Sequence, residues 1–414
     1  MPKTLYICYF GLREPLVQTQ VLPYLREIGK GGVDVSILTF EPEFAKSWTR
    51  EAIEETRGRL AAEGITWHCL GYHKWPSVPA TAYDVLRGTL RVRRLVARER
   101  YDVLHARVHL PMLMAAIARR FSRVRPKLLF DIRGFFPEEY TDAGRWPAGG
   151  WLFRAAKRVE RWLLRESDAF VVLTEKARDI LFAGSRETGR DHLGRPVEVI
   201  PCCVDFARFD AAASEGREQM RAKLGVEGRR VVAYAGSFGG WYMTDEMLDM
   251  FETAKKQDPG SFALILTQRD KEKVAEAMRA RGFADTDFIV ESVRPDEIAA
   301  YLNAADISIS FIKACYSKLS SSPTKLAEYL ACGLPIIANR GVGDVDALIE
   351  DNGVGVLLDD FSEASYIKAL EDLASLGDIS ARCRETARRH FDLETVGGAR
   401  YRRIYGNLTY GNNQ

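Results

Sequence analysis

Short apolar runs rich in β-branched and aromatic residues recur along the chain, and amphipathic stretches separate them. The first series is Leu5–Tyr9, Val33–Thr39, Val103–His105, Leu128–Ile132, Ala169–Leu173 and Val197–Ile200. A second series follows: Val231–Ala235, Ala263–Leu266, Phe288–Val290, Ile307–Phe311, Ile336–Ala338 and Gly355–Leu357. Between them, stretches such as Gln18–Gly29 and Met112–Phe121 read as helices. Strands alternating with helices predict parallel sheets built from right-handed crossovers. The expected fold class is therefore α/β, with two doubly wound domains in succession. A chain of 414 residues is too long for one core, which agrees. A hinge is expected near residues 200–209, and the charged segment Asp210–Gly228 suits an inter-domain connection. The predicted domains are residues 1–203 and 204–392, followed by a last helix within 393–414.

Composition narrows the function classes. Lys plus Arg number 59 against 57 for Asp plus Glu, a net charge of +2. That balance gives no nucleic-acid footprint. The seven cysteines form no Cys-x-x-Cys pair, and the adjacent Cys202 and Cys203 are too strained to bridge. Free thiols in a reducing cytoplasm are expected. The run Leu5–Phe10 is too short for a secretory signal, and Leu110–Ala118 covers about half a bilayer span. The chain is expected to be soluble or bound to a membrane surface. Walker A loops, His-Glu-x-x-His, zinc spacings and a Ser–His–Asp order are all missing. Asp344-Val345-Asp346 has a metal-binding form, yet it follows Gly341 and Gly343 and opens an apolar helix. It reads as an N-cap, with glycine amides nearby for a phosphate, and no metal is expected.

The segment Ser320 to Pro335 carries the most chemistry. Ser322 suits an N-cap and Pro323 the first helical position. Leu326, Tyr329 and Leu330 share one face; Gly333 stops the helix and Pro335 prevents its continuation. The free N–H groups at its start, with Lys325, favour an anion. Glu328, one turn further, can accept hydrogen bonds from sugar hydroxyls. Together they suit a ribose diphosphate, although an ordinary amphipathic helix has the same pattern.

Other candidates follow predicted strands. Gly11 and Arg13 sit in the first strand-to-helix turn, where a solvated loop is the alternative. His105-Ala106-Arg107-Val108-His109 follows the third run of the first series. Asp131 and Arg133 precede Phe135, Phe136, Pro137 and Glu138, a mixture of carboxylates and rings that suits sugar binding. A buried Asp–Arg pair holding a loop is the alternative. Residues 87–100 and 145–165 are basic, and the second stretch adds Trp146, Trp151, Phe153 and Trp162. That combination suits an anionic membrane interface, or a solvated helix with its rings in the core.

The Ser-Pro-Thr-Lys-x-x-Glu-Tyr-Leu-Ala-Cys-Gly run resembles the nucleotide-sugar site of family 4 glycosyltransferases, retaining enzymes with the GT-B fold. Ile200-Pro201-Cys202-Cys203-Val204-Asp205 with Phe209 is similar to the family's hinge. Tyr234-Ala235-Gly236-Ser237 is similar to its donor-domain glycine turn, and Leu302–Ser308 to the segment before its donor helix. Glu14–Leu25 and Asp131–Phe136 resemble a bacterial surface-polysaccharide branch. The resemblance spans nearly the whole chain. It implies two Rossmann-like domains facing across a cleft, an N-terminal acceptor domain and a C-terminal donor domain, with the last helix returning to the first. It further implies Glu328 on the donor ribose, a donor site from Gly236, Ser237, Ser322, Pro323, Thr324 and Lys325, and a histidine near the transferred sugar. His109, Arg107 and Glu138 are the candidate catalytic residues. Gly11, Arg13, Asp131 and Arg133 are the acceptor or cleft candidates.

Two departures stand out. Ser320 occupies the family's first glutamate position. No basic residue lies between Gly236 and Lys255, where the family carries a diphosphate-binding pair. Lys325, Arg269 or Arg294 is expected to supply that charge, or Arg13 to close over it. The implied activity is transfer of a sugar from a UDP- or GDP-sugar to a glycan or lipid-linked glycan, with the nucleotide sugar as co-substrate and no other cofactor. A catalytically silent nucleotide-sugar-binding scaffold and a GT-B epimerase are the alternatives.

Overall fold

A computed structural model describes residues 1–214 and 216–409. Residue 215 of the expected connection and residues 410–414 of the last segment lie outside the described residues. The fold divides after Pro201 into two units: Met1–Pro201 with the stretch from Leu393 onward, and Cys202–Asp392.

The first unit holds β1 (Lys3–Ile7), β2 (Asp34–Glu41), β3 (Ile65–Gly71), β4 (Val103–Arg107), β5 (Lys127–Ile132), β6 (Ala169–Val172) and β7 (Val197–Val199). They form one parallel sheet in the order β3-β2-β1-β4-β5-β6-β7. The second unit holds β8 (Val231–Ala235), β9 (Phe262–Leu266), β10 (Phe288–Glu291), β11 (Ile307–Ser310), β12 (Ile336–Asn339) and β13 (Gly355–Leu358). Its order is β10-β9-β8-β11-β12-β13, again parallel. Central strands such as β4, β8 and β9 are buried throughout, as continuous apolar runs require when helices cover both faces. Strand order reverses between β1 and β4 and between β8 and β11. Such switch points open a crevice at the carboxyl ends of the strands.

Two elements differ from the sequence expectation. Edge strand β3 was not predicted, because Thr66 is exposed and only Ile65 and Trp67 are buried. Instead of one helix over Gln18–Gly29, two run over Pro15–Gln20 and Leu22–Lys30. Pro23 explains the break: lacking an N–H, it fits the first turn of a new helix but not the interior of a long one.

The terminal helix Ala399–Thr409 packs on the first unit. Tyr405 Oη lies 2.8 Å from Thr4 Oγ1, and Arg402 pairs with Glu27 at 2.7 Å. Tyr401 donates to Asp131 at 3.0 Å. Asp131 is completely buried; Arg133 Nε stands 2.8 Å from it and His105 Nε2 3.4 Å. Burial alone would raise this carboxyl, but the Arg133 charge and the His105 hydrogen bond outweigh it and hold it well below the usual range. Asp131→Ala should therefore lower the unfolding free energy by roughly 3–5 kcal/mol in urea melts, because Arg133 is left charged and buried. The stability this carboxylate supplies is complete above its ordinary pKa of 3.8 and is lost as pH falls through the lower folded value.

Candidate functional site

In the second unit the carboxyl ends of β8 and β11 bring one cluster together. After β11 comes a 3-10 turn, Tyr316–Ser320, and then the helix Thr324–Ala331. Pro323 rather than Ser322 takes the N-cap position, with no side-chain cap. The Ser322 hydroxyl instead accepts from the Cys202 N–H at 3.1 Å. The helix ends as expected: Gly333 has φ +77°, and the Leu334 N–H reaches back to the Tyr329 carbonyl at 2.9 Å. The Ala235 N–H donates to the Tyr329 hydroxyl at 2.7 Å, which locks the helix to β8.

Lys325 stands in the first turn of this helix, 7 % exposed. Its Nζ has no hydrogen-bond partner among the described residues. It lies 4.0 Å from the centre of the Tyr234 ring and 4.3 Å from that of Tyr242. Burial pushes its ammonium pKa down to about 7, with Glu328 opposing. The Glu328 carboxyl is pushed up to about 7 by burial, with Arg208 and Lys325 opposing. Lys325 pays for desolvation with no partner that restores what water would give, and the half-buried Glu328 carboxyl forms no hydrogen bond among the described residues. An anion with hydroxyl groups at the helix start would satisfy both.

The segment after β8 completes the cluster. Trp241 accepts from the Lys313 N–H at 2.9 Å, and Tyr242 bridges antiparallel to Ile312. This docking against the chain after β11 puts both rings over lysines. Lys318, also buried, has its Nζ 4.1 Å from the Trp241 ring centre.

In the first unit the candidates fall into two groups. Arg107 joins the Asp131 network, 4.0 Å from that carboxylate, and is buried. His109 begins the helix His109–Arg120 and bonds Glu160 at 3.2 Å. Lys157 ties Glu160 to Glu138, which it meets at 2.9 Å. His109 and Glu138 thus share one chain of contacts, stacked beside Phe136. Val108, immediately before, has φ +64° and ψ −179°, a region almost reserved for glycine. A β-branched residue there costs about 1–3 kcal/mol, so the packing around it fixes where His109 enters its helix.

Residues 17–202 match the Glycosyl transferase 4-like domain, and residues 216–390 match the Glycosyl transferases group 1 family. The chain belongs to the GT-B glycosyltransferases. A D-inositol 3-phosphate glycosyltransferase of Salinispora arenicola (strain CNS-205) is 27 % identical over 387 residues, covering 89 % of this chain and 82 % of that protein. Sucrose-phosphate synthase of Thermosynechococcus elongatus aligns with a TM-score of 0.74 at 14 % identity, over 98 % of this chain and all (100 %) of that one. HepE of Anabaena, in complex with UDP and glucose, aligns with a TM-score of 0.66 at 16 % identity, over 99 % and 100 %.

Several residues predicted for this glycosyltransferase have other local surroundings than Lys325. Arg294 is exposed and paired with Asp296 and Glu297, and Arg269 is exposed. Arg13 packs on Trp48, 3.9 Å from its ring, and donates to the Ser47 carbonyl at 3.1 Å. Gly11 faces Pro42 rather than open space; a Cβ there would come within 2.6 Å of the proline ring. The Gly341 and Gly343 amides, expected near a phosphate, are taken by Asp346 at 3.1 Å and the Lys318 carbonyl at 2.8 Å. Sequence reasoning missed Tyr234 and Tyr242 around Lys325, Lys318 with Trp241, Arg208 near Glu328, and Glu160 with Lys157 beside His109. The one available signal was Lys318, a cation in the otherwise uncharged run Cys315–Thr324.

Gly236 fits the cluster as a close-approach glycine. It has φ +146°, and a Cβ on it would lie 2.6 Å from Lys325 Nζ. Gly236→Ala should displace the ammonium group and cut kcat/KM for the nucleotide sugar at least about ten-fold, while the melting temperature changes by only a few degrees. Steady-state kinetics with a melting curve checks both.

Proposed function

We propose that this glycosyltransferase transfers a sugar with retention and without a metal. Its donor is a UDP- or GDP-sugar, and its acceptor is a glycan or lipid-linked glycan of bacterial cell-surface polysaccharide synthesis. One observation carries the reading: a buried, unpartnered lysine and a carboxyl lie one turn apart at a helix start that follows the switch point. The bond from the anomeric carbon to the diphosphate breaks, and the diphosphate takes the electron pair. Lys325 and the first N–H groups of its helix stabilise that charge. The acceptor oxygen bonds to the same face of the anomeric carbon, and its proton passes to the leaving phosphate. Glu328 holds the ribose hydroxyls. His109 and Glu138 are the acceptor-domain groups assigned to the sugar and its acceptor.

Two further observations support the finer parts. The run Glu14–Leu25 resembles the surface-polysaccharide branch. Helix Trp151–Glu166 exposes Trp151, Arg154, Arg158, Arg161 and Arg165, the arginines at helical spacing on one face. A tryptophan at the head of a basic stripe suits an anionic membrane carrying a lipid-linked acceptor. No helix among the described residues is long and apolar enough to cross a membrane.

The test is thermal stabilisation by uridine, guanosine and other nucleoside diphosphates, with and without metal. Ligand that binds the folded state raises the melting temperature. A rise with one base, unchanged by metal and lost in Glu328→Ala, is expected. No rise with any of them would overturn the donor site.

A further inference from the structure

The first unit carries a second concavity, at the opposite end of its sheet from the residues discussed above. A cavity of about 420 Å³ opens between the starts of β1–β3 and the helix Ser77–Glu99. Sheet residues Lys3, Thr66 and His68 line one wall, and Arg91, Arg94 and Arg98 line the other. The arginines are three and four residues apart, which sets them on one helix face.

Charge in the cavity is not balanced. Of its two acids, Asp34 lies 3.8 Å from Lys3 and Glu99 lies 3.0 Å from Arg98. Arg91 and Arg94 form no ion pair among the described residues. Two polar atoms are also orphaned: Arg91 Nε and His68 Nε2 are buried and have no hydrogen-bond partner among the described residues. Burial and the nearby Arg91 push the His68 imidazole down to about 4, so it is neutral at physiological pH. A neutral imidazole presents one N–H without adding charge. An unsatisfied buried donor costs about 1–3 kcal/mol, and oxyanions are the partners that guanidinium groups match best.

We propose that this cavity binds a phosphate-class anion between Arg91 and Arg94, with His68 as a further donor. The inference is independent of the donor site, because these residues lie in the first unit, whereas Lys325 and Glu328 stand in the second. Its volume falls within the roughly 300–1,000 Å³ of small-molecule sites and exceeds what a bare phosphate needs. A phosphorylated small molecule fits that description. So does a lipid phosphate, since Leu86 and Leu90 are exposed on the same helix.

Isothermal titration separates the two sources. Inorganic phosphate and short-chain phosphatidic acid, below its micelle concentration, are titrated at constant ionic strength into wild type, Arg91→Gln/Arg94→Gln and Thr66→Glu. Thr66 is exposed at the cavity wall, so glutamate adds a repelling carboxylate without disturbing the core. A melting curve confirms that each variant is folded. Binding in wild type and in Lys325→Met, lost in both cavity variants, is the expected result. Binding of inorganic phosphate identifies a soluble anion, and binding of phosphatidic acid alone identifies a lipid headgroup. Absence of binding in wild type, or binding that persists in the folded cavity variants, overturns the proposal.

Discussion

Glu328→Ala should lower kcat/KM for the nucleotide sugar by roughly a hundred- to ten-thousand-fold. A ribose offers two neighbouring hydroxyls, and a hydrogen bond to a charged acceptor contributes about 1.5–3 kcal/mol. Two such bonds total about 3–6 kcal/mol, and each 1.4 kcal/mol is about a factor of ten. Glu328 stands on a helix anchored to β8 by the Tyr329 hydroxyl and closed by the Gly333 turn, which would hold its carboxyl in place to make them. The ribose does not react, so much of the loss should appear as a raised KM. Glu328→Gln, which keeps one acceptor oxygen, should recover part of it. A kcat/KM within about three-fold of wild type for the alanine variant would remove Glu328 from the site.

Lys325→Met should separate stability from function. Methionine keeps the length and apolar stem of the lysine and packs well against aromatic rings such as Tyr234 and Tyr242. It removes a cation that sits out of water with no hydrogen-bond partner among the described residues. Stability should hold or rise, while binding of the nucleoside diphosphate weakens by about a hundred-fold, the scale of losing one group that stabilises developing charge. The folded pKa near 7 lies below the ordinary 10.5. Below about 7 both folded and unfolded wild type carry the proton, and the folded state bears the full cost. Between about 7 and 10.5 the unfolded chain alone holds it, so wild-type stability rises with pH. The advantage of Lys325→Met should thus be greatest below about 7 and vanish towards 10.5. Diphosphate binding to wild type should weaken as pH rises above about 7, where the free enzyme loses the ammonium charge. Melting curves and titrations across this range check both signs. A variant that melts lower than wild type at acidic pH would show that the cation is stabilising.

The sequence alone specified two parallel-sheet units, most of their strands and the helix after β11. These features are local: apolar runs define buried strands, and Gly333 with Pro335 ends a helix whatever surrounds it. It also placed Lys325 in the first turn of that helix and Glu328 one turn later, because these positions follow from helical geometry. It missed β3, whose edge position leaves it too little buried to show a pattern. Tertiary structure decided which cation is buried at the helix start without a hydrogen-bond partner among the described residues, namely Lys325. Arg269 is exposed, Arg294 pairs with exposed acids and Arg13 packs on Trp48, surroundings that the sequence did not specify. The rings over Lys325 and Lys318 come from a segment that meets them only because β8 and β11 are neighbours in the sheet. Desolvation, and with it the pKa of Lys325 and Glu328, depends on every atom that excludes water, and those atoms come from strands and loops far apart in the chain.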